Sequence, residues 1–414
     1  MVEIPRTIEE WRAWLGDTVL PYWVVVVAVA SEPAGYVEYL TRDGVRDARA
    51  EKTPLVTARL IYVFSHAHVL GLGRDVLKAA EHGFRFLVER CWDARDGGFF
   101  HKVAADGTPI DRRKDAYDHA FALFAMAWLH RATRRREPLD WAARIIAYMD
   151  EALTDPTGGY REHIGTGDPQ PLPRRQNPHM HLLEAFHALF EATGDEAWLT
   201  LASAIIDLFE RHFFDRETGS LGEFFTADWQ PAPGALGVLR EPGHHFEWVW
   251  LLHHHARLTG SDASLVAADR LYHFALRHGL DKRPGRIPAA FDEIDRMGRL
   301  VTESKLLWPQ TEAVKAFLAR WEFLEDRDAA RRVLDHTVLL FRWFLVDETA
   351  RWRNRLAADG REIPGELPVR VLYHLFLGLA ELVRLWPTLP AEELRRLGSS
   401  IRGSSAATAS MLPT

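Results

Sequence analysis

The sequence feature that most constrains the fold is a turn that recurs along the chain at nearly constant spacing. The turns centre on Gly35, Gly97, Gly158, Gly219, Gly285 and, less regularly, Trp352. The intervals between these positions are 62, 61, 61, 66 and 67 residues. Self-similarity at a fixed period is the signature of a repeat architecture, in which each unit packs against its neighbours. We therefore expect six similar structural units.

The stretches between the turns have the periodicity of helices. In residues 182–193 apolar side chains recur at i, i+4, i+7 and i+8, and residues 338–345 form a second strongly apolar segment. Each unit is long enough for two helices and a turn, so six units predict twelve helices. The alternation typical of strands is confined to short stretches such as residues 36–40, which predicts only short β-hairpins beside the turns.

The period and the number of units are those expected if the helix pairs close into a ring. We therefore predict an all-α fold, an (α/α)6 barrel of six helix pairs with short β-hairpins in the connecting loops. An open α-solenoid, which has the same pairs without closure, is the alternative. We expect residues 1–398 to form a single barrel domain. Residues 399–414 are rich in Ser, Ala and Thr without periodicity, and we expect this tail to be disordered.

Composition argues against several classes of partner. The chain has 51 Lys and Arg against 58 Asp and Glu, a net charge of −7, and no long basic run, so no nucleic-acid partner is expected. The apolar run 22–30 is shorter than the roughly 18 residues that span a bilayer, and the residues before it lack the cationic start of a secretory signal. The single cysteine, Cys91, cannot form an internal disulfide and suits a reducing, cytoplasmic compartment.

One predicted helix start lies at Asn177, where Asn suits the N-cap position and Pro178 the first helical position. The i, i+4 spacing aligns Asn177 with His181, so that an amide and an imidazole can both bind hydroxyl groups of a ligand. Plain capping by Asn177 and a core histidine at His181 are the alternative interpretation.

A second helix start follows Pro242 and Gly243, and it places His244 and Glu247 at i and i+3. A carboxylate on the same helix face can orient the imidazole and favour its protonated form, as a general acid–base catalyst near neutral pH requires. The alternative is a first-turn glutamate stabilised by the helix dipole beside an incidental histidine.

Four further residues are candidates with structural alternatives. Trp308 and Glu312 lie near the start of another predicted helix, where a tryptophan is either core or a stacking platform for a ring. His374 lies in an apolar helix, where a lone histidine is more often a core residue. Arg59 is a cation in an apolar helix and requires a partner or a polar cavity.

Metal and nucleotide chemistry have little support in the sequence. His253, His254 and His255 are adjacent and point around their helix, while His66 and His68 do not share a helix face. The sequence contains no HExxH pair, phosphate-binding loop, GxSxG motif or dinucleotide fingerprint. We therefore expect no metal and no cofactor.

Six segments together resemble the N-acylglucosamine 2-epimerase family, which includes sugar 2-epimerases and D-mannose-type aldose–ketose isomerases. The segments are ARLIYVFSHAH at 58–68, DAYDHAFAL at 115–123, NPHMHLLEAF at 177–186, PGHHFEWVWLL at 242–252, LWPQTEAVKAF at 307–317 and LYH at 372–374. The resemblance covers most of the chain and implies an (α/α)6 barrel, in agreement with the repeats.

The resemblance also implies roles for individual residues. The catalytic histidines of the family fall on His244 and His374, with Glu247 supporting His244. The residues implied to line the sugar pocket are Arg59, Tyr117, Asn177, His181, Trp308 and Glu312. These implications favour the functional interpretation of His374, Asn177 and His181 over the structural one.

The function implied is that of a cofactor-independent isomerase, which interconverts an aldose and a ketose through a cis-enediol by histidine-mediated proton transfer. D-Mannose and D-fructose are the expected pair of substrates. The expected partner is a small-molecule sugar, and the protein is expected to be a monomer or a homodimer. The nearest alternative is C2 epimerisation of glucose- or mannose-type sugars, N-acylglucosamine or cellobiose. More distant alternatives are an (α/α)6 glycoside hydrolase, for which Glu247 and Glu312 are the candidate carboxylates, and a protein-binding α-barrel.

Overall fold

The computed structural model describes residues 2–29, 35–47, 50–167 and 173–396, so the predicted tail at 399–414 lies outside the described residues. The α-helices in these ranges are α1 (Ile8–Ala13), α2 (Leu20–Val27), α3 (Pro54–Val69), α4 (Val76–Phe86), α5 (Ala116–Thr133), α6 (Glu137–Ala152), α7 (Asn177–Thr193), α8 (Glu196–Leu208), α9 (Ala235–Val238), α10 (Pro242–Thr259), α11 (Leu265–Phe274), α12 (Trp308–Leu324), α13 (Arg327–Leu339) and α14 (Leu372–Leu385). Single π-helical turns follow α1, α4, α8, α11 and α13 at Trp14–Val19, Leu87–Cys91, Phe209–Phe213, Ala275–Gly279 and Leu340–Phe344, and short 3₁₀ turns lie at Val369–Val371 and Trp386–Thr388.

Six of these helices form a closed inner ring. In the order α3, α5, α7, α10, α12 and α14 each helix packs against the next, and α14 packs against α3. An inner helix has neighbours on every side, which explains why α3 is buried almost continuously from Val56 to Ala67. The contact between α14 and α3 closes the barrel, so the (α/α)6 prediction is confirmed and the open solenoid is wrong.

The outer layer pairs α4 with α3, α6 with α5, α8 with α7, α11 with α10 and α13 with α12. The sixth outer position is filled from the start of the chain, since α1 packs against α14. The rings of Trp11 and Trp386 lie 5.5 Å apart at this contact, and Trp23 stacks on Trp352 at 5.0 Å. Residues 22–27 of the apolar run near the N-terminus therefore belong to the outer layer, where α2 buries Trp23 and Val27.

The strands are two or three residues long. They are β1 (Ala28–Val29), β2 (Gly35–Tyr36), β3 (Tyr39–Leu40), β4 (Lys102–Val103), β5 (Pro109–Asp111), β6 (Lys114–Asp115), β7 (His163–Ile164), β8 (Arg174–Arg175), β9 (Phe214–Asp215), β10 (Ser220–Leu221), β11 (Phe224–Phe225), β12 (Leu239–Arg240), β13 (Glu293–Asp295), β14 (Leu300–Thr302), β15 (Lys305–Leu306), β16 (Arg355–Leu356) and β17 (Leu367–Pro368). The expected local hairpins are present as β1–β2, β4–β5, β9–β10 and β13–β14.

Other strand pairs join loops of different units, which the sequence did not predict. The antiparallel pairs are β6–β7, β8–β11, β12–β13, β15–β16 and β3–β17, and a single bridge joins Lys52 to Val103. In each pair one strand lies just before an inner helix. These strands are β6, β8, β12, β15 and β17, which precede α5, α7, α10, α12 and α14. The expected strand at 36–40 is accordingly divided between β2, paired locally, and β3, paired with β17. The ladders fix the N-terminal ends of the inner helices around one mouth of the barrel.

Apolar side chains fill the space between the two helix layers, and Cys91 is buried there as a free thiol. None of the helices in the described ranges combines the length and the apolar character needed to cross a membrane.

Candidate active site

The mouth surrounded by the loop ladders contains a cavity of about 300 Å³. Its lining residues are Leu55, Arg59, Tyr117, Arg175, Asn177, His181, Glu241, His244, Glu247, Leu306, Trp308, Asn354, Pro368, Arg370, Val371 and His374. All the predicted site residues are in this set except Glu312. The N-terminal turns of the inner helices thus bring together side chains that are far apart in the sequence.

His374 lies in the first turn of α14 and is held by Glu312, which lies behind it. The Nδ1 atom of His374 is 2.8 Å from Oε1 of Glu312, and Glu312 is completely buried. Burial opposes ionisation of this glutamate, but Lys315 and His374 lower its pKa to about 2. The carboxylate therefore accepts the Nδ1 proton. Glu312, predicted to bind sugar, instead contacts the histidine that faces the cavity.

The lone pair on Nε2 of His374 is then free toward the cavity, because a neutral imidazole carries its single proton on one nitrogen only. Burial is the main influence on the ring and lowers the pKa of His374 to about 3, against the opposing effect of Glu312. At neutral pH this arrangement is that of a general base.

His244 has the opposite electrostatic environment. Its Nδ1 atom lies 2.9 Å from Oε2 of Glu223 and 3.7 Å from Oε2 of Glu241. Burial disfavours the charged ring, but these two carboxylates outweigh burial and raise the pKa of His244 to about 10. His244 is therefore a cation at neutral pH and can donate a proton.

The predicted pairing of His244 with Glu247 does not form a hydrogen bond. Glu223, in the loop between β10 and β11, occupies the Nδ1 position of His244 instead. Neither carboxyl oxygen of Glu247 has a hydrogen-bond partner, although the residue is only 1% exposed. Burial and the neighbouring Glu312 raise the pKa of Glu247 well above its ordinary value. Glu247 thus lines the cavity as a carboxyl group that retains its proton.

His181 is fixed from below by a buried glutamate. Its Nδ1 atom is 3.1 Å from Oε2 of Glu184, which also accepts a hydrogen bond from the hydroxyl of Tyr373, 2.7 Å from Oε1. Burial and the positive charge of Arg59 lower the pKa of His181 well below its ordinary value. A neutral His181 that donates through Nδ1 presents Nε2 as an acceptor, which suits a sugar hydroxyl.

Arg59 supplies a positive charge to the same cavity. Its Nη2 atom donates to the hydroxyl of Tyr117 at 2.7 Å, and Nη1 donates to the carbonyl of Arg370 at 3.2 Å. The guanidinium lies over the ring of Phe121, 4.1 Å from its centroid. Within the described part of the chain no carboxylate forms an ion pair with Arg59, so its charge remains available to an oxyanion.

Trp308 and Asn177 complete the predicted set. The ring of Trp308 lies 5.0 Å from His244 and 5.5 Å from His374, between the two histidines. Gly243 permits this, since a Cβ there would lie 2.4 Å from the Trp308 ring. Asn177 is not the N-cap that the sequence predicts, because the helix starts at Asn177 and Gln176 precedes it without side-chain capping. The Oδ1 atom of Asn177 has no partner and is free to bind a ligand.

Sequence reasoning missed the residues that support the site, namely Glu184, Glu223, Glu241, Lys315 and Gln176. Glu184 and Lys315 lie inside two of the segments that resemble the family, three residues after His181 and Glu312, and this helical spacing indicates that each can contact its neighbour. Glu223 lies in a loop without local pattern. The fold also gathers three groups of potential metal ligands, which the sequence did not predict: His181, Glu184 and Glu247; Glu223, Glu241 and His244; and Glu247, Glu312 and His374.

Comparison with known proteins gives consistent matches along the chain. The family model for N-acylglucosamine 2-epimerase matches residues 35–378. A mannose-6-phosphate isomerase of Rhizobium meliloti (strain 1021) is 33% identical over 382 residues, which cover 90% of this chain and 96% of the relative. A D-mannose isomerase of Thermobifida fusca is 32% identical over 331 residues, 74% of this chain and 77% of the relative.

Solved structures agree with these sequence matches. The cellobiose 2-epimerase of Spirochaeta thermophila DSM 6192 superposes with a TM-score of 0.78 at 28% identity, covering 95% of this chain and 97% of that protein. Isomerases and epimerases therefore recur among the similar proteins, and the chain is an enzyme of this class. It belongs to the N-acylglucosamine 2-epimerase family.

Proposed function

We propose that the chain is a cofactor-independent aldose–ketose isomerase, which interconverts D-mannose and D-fructose. The observation that carries this proposal is the difference in surroundings of the two histidines in the cavity: His374 contacts one carboxylate, which is itself paired with Lys315, whereas His244 lies beside two carboxylates. His374 is a neutral base supported by Glu312, and His244 is a cation held by Glu223 and Glu241. A single base that removes the proton from C2 and returns it to C1 performs isomerisation.

The reaction begins with ring opening. His244, as the charged acid, donates a proton to the ring oxygen of the sugar as the bond between C1 and that oxygen breaks. The O1 hydroxyl gives up its proton as it becomes the aldehyde oxygen, and this proton returns to His244, which regains its charge. The Nε2 atom of His374 then removes the proton from C2 of the open-chain aldose. Arg59 stabilises the negative charge that develops on the enediolate oxygens, since its own charge is not neutralised by a carboxylate.

Glu247 has a separate task in this scheme. Its protonated carboxyl group donates a proton to O1 as the enediol forms, and its other oxygen accepts the proton of the C2 hydroxyl as the ketose forms. His374 returns its proton to C1, so both residues end in the state in which they began. The absence of hydrogen-bond partners on both oxygens of Glu247 supports this role.

The substrate assignment rests on cavity size and on the relatives. A cavity of about 300 Å³ lies at the small end of the range of ligand pockets, which suits one sugar ring. The two relatives described above are named as mannose and mannose 6-phosphate isomerases. Tyr117, Asn177 and His181 would bind the sugar hydroxyls, and the ring of Trp308 would stack on the sugar.

C2 epimerisation is the second candidate, because both histidine rings contact Trp308 and so border the same ligand position. It requires His244 to act as a base, which its charged state disfavours. Glycoside hydrolysis has less support. It needs two opposed carboxylates about 5 to 9.5 Å apart, whereas ligand oxygens of Glu247 and Glu312 lie within 4.8 Å and Glu312 does not line the cavity.

The test is incubation of the purified protein with D-mannose, D-glucose, D-fructose, mannose 6-phosphate, N-acetylglucosamine and cellobiose, followed by chromatography of the products. We expect D-mannose to yield D-fructose, and the reverse. Conversion of glucose to mannose without fructose would favour epimerisation. Release of glucose from cellobiose would favour hydrolysis, and both outcomes would contradict the proposal.

A further inference from the structure

Lys315 carries a buried charge that lies behind the lining of the cavity, where a sugar cannot contact it. It lies on α12, one turn after Glu312, and is 0% exposed. Its Nζ atom is 2.6 Å from Oε2 of Glu312, while Oε1 of the same carboxylate is 2.8 Å from Nδ1 of His374. Glu312 therefore joins an ammonium group on one side to an imidazole on the other.

We propose that Lys315 is a positioning residue of the isomerase, the counter-ion that keeps Glu312 a carboxylate and thereby fixes the proton of His374 on Nδ1. The inference rests on the proposed function, since it concerns the residue proposed as the base of that reaction. Lys315 acts through Glu312 and does not touch the substrate.

The position of Lys315 supports an indirect role. It is absent from the lining of the cavity at the N-terminal mouth. A second cavity of about 260 Å³ lies at the opposite end of the barrel, and Lys315 does not line this one either. Its ammonium lies 4.3 Å from the ring centroid of Trp250, which belongs to the second cavity. Lys315 thus lies in the layer of side chains that separates the two cavities.

The charges around Lys315 explain why a cation is needed in this layer. The charged and titratable groups that face it or the His374–Glu312 pair are Arg59 and Tyr62 on α3, His181 and Glu184 on α7, His244 and Glu247 on α10, Glu312 on α12, and Tyr373 and His374 on α14. On the outer helix α13, His336 contacts Phe317 instead. Glu312 is the carboxylate in contact with this ammonium, and its charge raises the pKa of Lys315 despite burial.

Without Lys315, the position of the protons on Glu312 and His374 would change. A buried carboxylate without a counter-ion tends to take up a proton. A protonated Glu312 either donates its proton to Nδ1 or transfers it to the ring. In the first case His374 carries its own proton on Nε2, and in the second the ring becomes a cation. Both states remove the lone pair that must accept the C2 proton.

The test compares Lys315→Met, which keeps the length of the side chain and removes the charge, with Lys305→Met. Lys305 is a matched control because it is also 0% exposed and is paired with a buried aspartate, Asp281, at 3.1 Å. We measure kcat, KM and the pH profile of each folded variant. For Lys315→Met we expect the loss of kcat to increase as the pH falls, to about tenfold one pH unit below the shifted acid limb, with little change in KM.

The pH profile gives the direction of the effect. Removal of the positive charge makes protonation of the His374–Glu312 pair easier, so the acid limb of kcat should move to higher pH by about one to three units. Lys305→Met should lower the melting temperature and leave the acid limb where it is in the wild type. Equal shifts in both variants, or no shift in a folded Lys315→Met protein, would overturn the inference.

A second measurement does not depend on turnover. In protein labelled with ¹⁵N-histidine, the imidazole shifts of His374 report which ring nitrogen carries the proton, and a His374→Gln variant assigns the signals. We expect a protonated Nδ1 in the wild type and a change of state in Lys315→Met. If Lys315→Met does not fold, a wild-type spectrum with the proton on Nε2 still contradicts the inference. Inactivity of the wild type toward every sugar would instead refute the proposed function.

Discussion

Glu223 was not predicted from the sequence, and its replacement is a strong test of the charge assigned to His244. In Glu223→Gln the side chain keeps its shape and one acceptor oxygen, but the carboxylate 2.9 Å from Nδ1 of His244 loses its charge. The second carboxylate, Glu241 at 3.7 Å, remains. Loss of one close, buried charge should lower the pKa of His244 by about one to three units.

The starting value fixes the expected window. With a wild-type pKa of about 10 for His244, the variant should titrate at about 7 to 9, a loss of about 1 to 4 kcal/mol of stabilisation of the charged ring. His244 is proposed to act as an acid, so activity requires its protonated form and declines above its pKa. The basic limb of kcat/KM should therefore move to lower pH, with activity retained on the acid side.

The assay is the pH dependence of kcat/KM for mannose isomerisation, from pH 5 to 11, within the range in which the folded state persists by circular dichroism. Asp281→Asn is a suitable control, because this buried carboxylate pairs with Lys305 and does not contact His244. A folded Glu223→Gln protein with the basic limb of the wild type would refute the assignment of His244 as a cationic acid held by Glu223.

Three further predictions concern packing, stability and metal dependence. Gly243→Ala should lower kcat/KM by about 10²-fold, because the new Cβ would lie 2.4 Å from the ring of Trp308 and would push the ring out of position; unchanged kinetics would contradict the contact. Glu191→Gln should lower the free energy of unfolding by about 0.2 to 1 kcal/mol without changing kcat, since Glu191 accepts hydrogen bonds from Arg131 and Arg257 at the end of the barrel opposite the active site; a denaturant titration measures this. EDTA should not reduce activity, and loss of turnover that a divalent ion restores would contradict this expectation.

The sequence predicted the fold well because the repeat is strong and each unit carries its own helical periodicity. It did not predict which helices pair at the junction, since α1 and α14 lie at opposite ends of the chain and only closure of the ring brings them together. It also missed the ladders between units. Segments of two or three residues are too short for an alternating pattern, so β8 and β11 leave no local signal.

For the candidate site, the sequence predicted most of the residues that line the cavity but not their hydrogen-bond partners. Residues that face the cavity lie in distinctive segments at helix starts, and all the predicted ones except Glu312 line it. Their partners were harder to predict. The i, i+3 spacing of His244 and Glu247 suggested a pair, but a loop residue, Glu223, forms the hydrogen bond. Such contacts depend on tertiary packing, which helical spacing alone does not determine.

The measurement that tests the central claim most directly is the position of deuterium after turnover in D₂O. With His374 as the only base, D-mannose should give D-fructose that carries solvent deuterium at C1, less any fraction in which the original C2 hydrogen is transferred directly. In the initial phase, the unreacted mannose and any glucose that forms should contain little deuterium at C2. Early appearance of C2-deuterated glucose from mannose would mean that a second base acts from the other face, and it would contradict the one-base account.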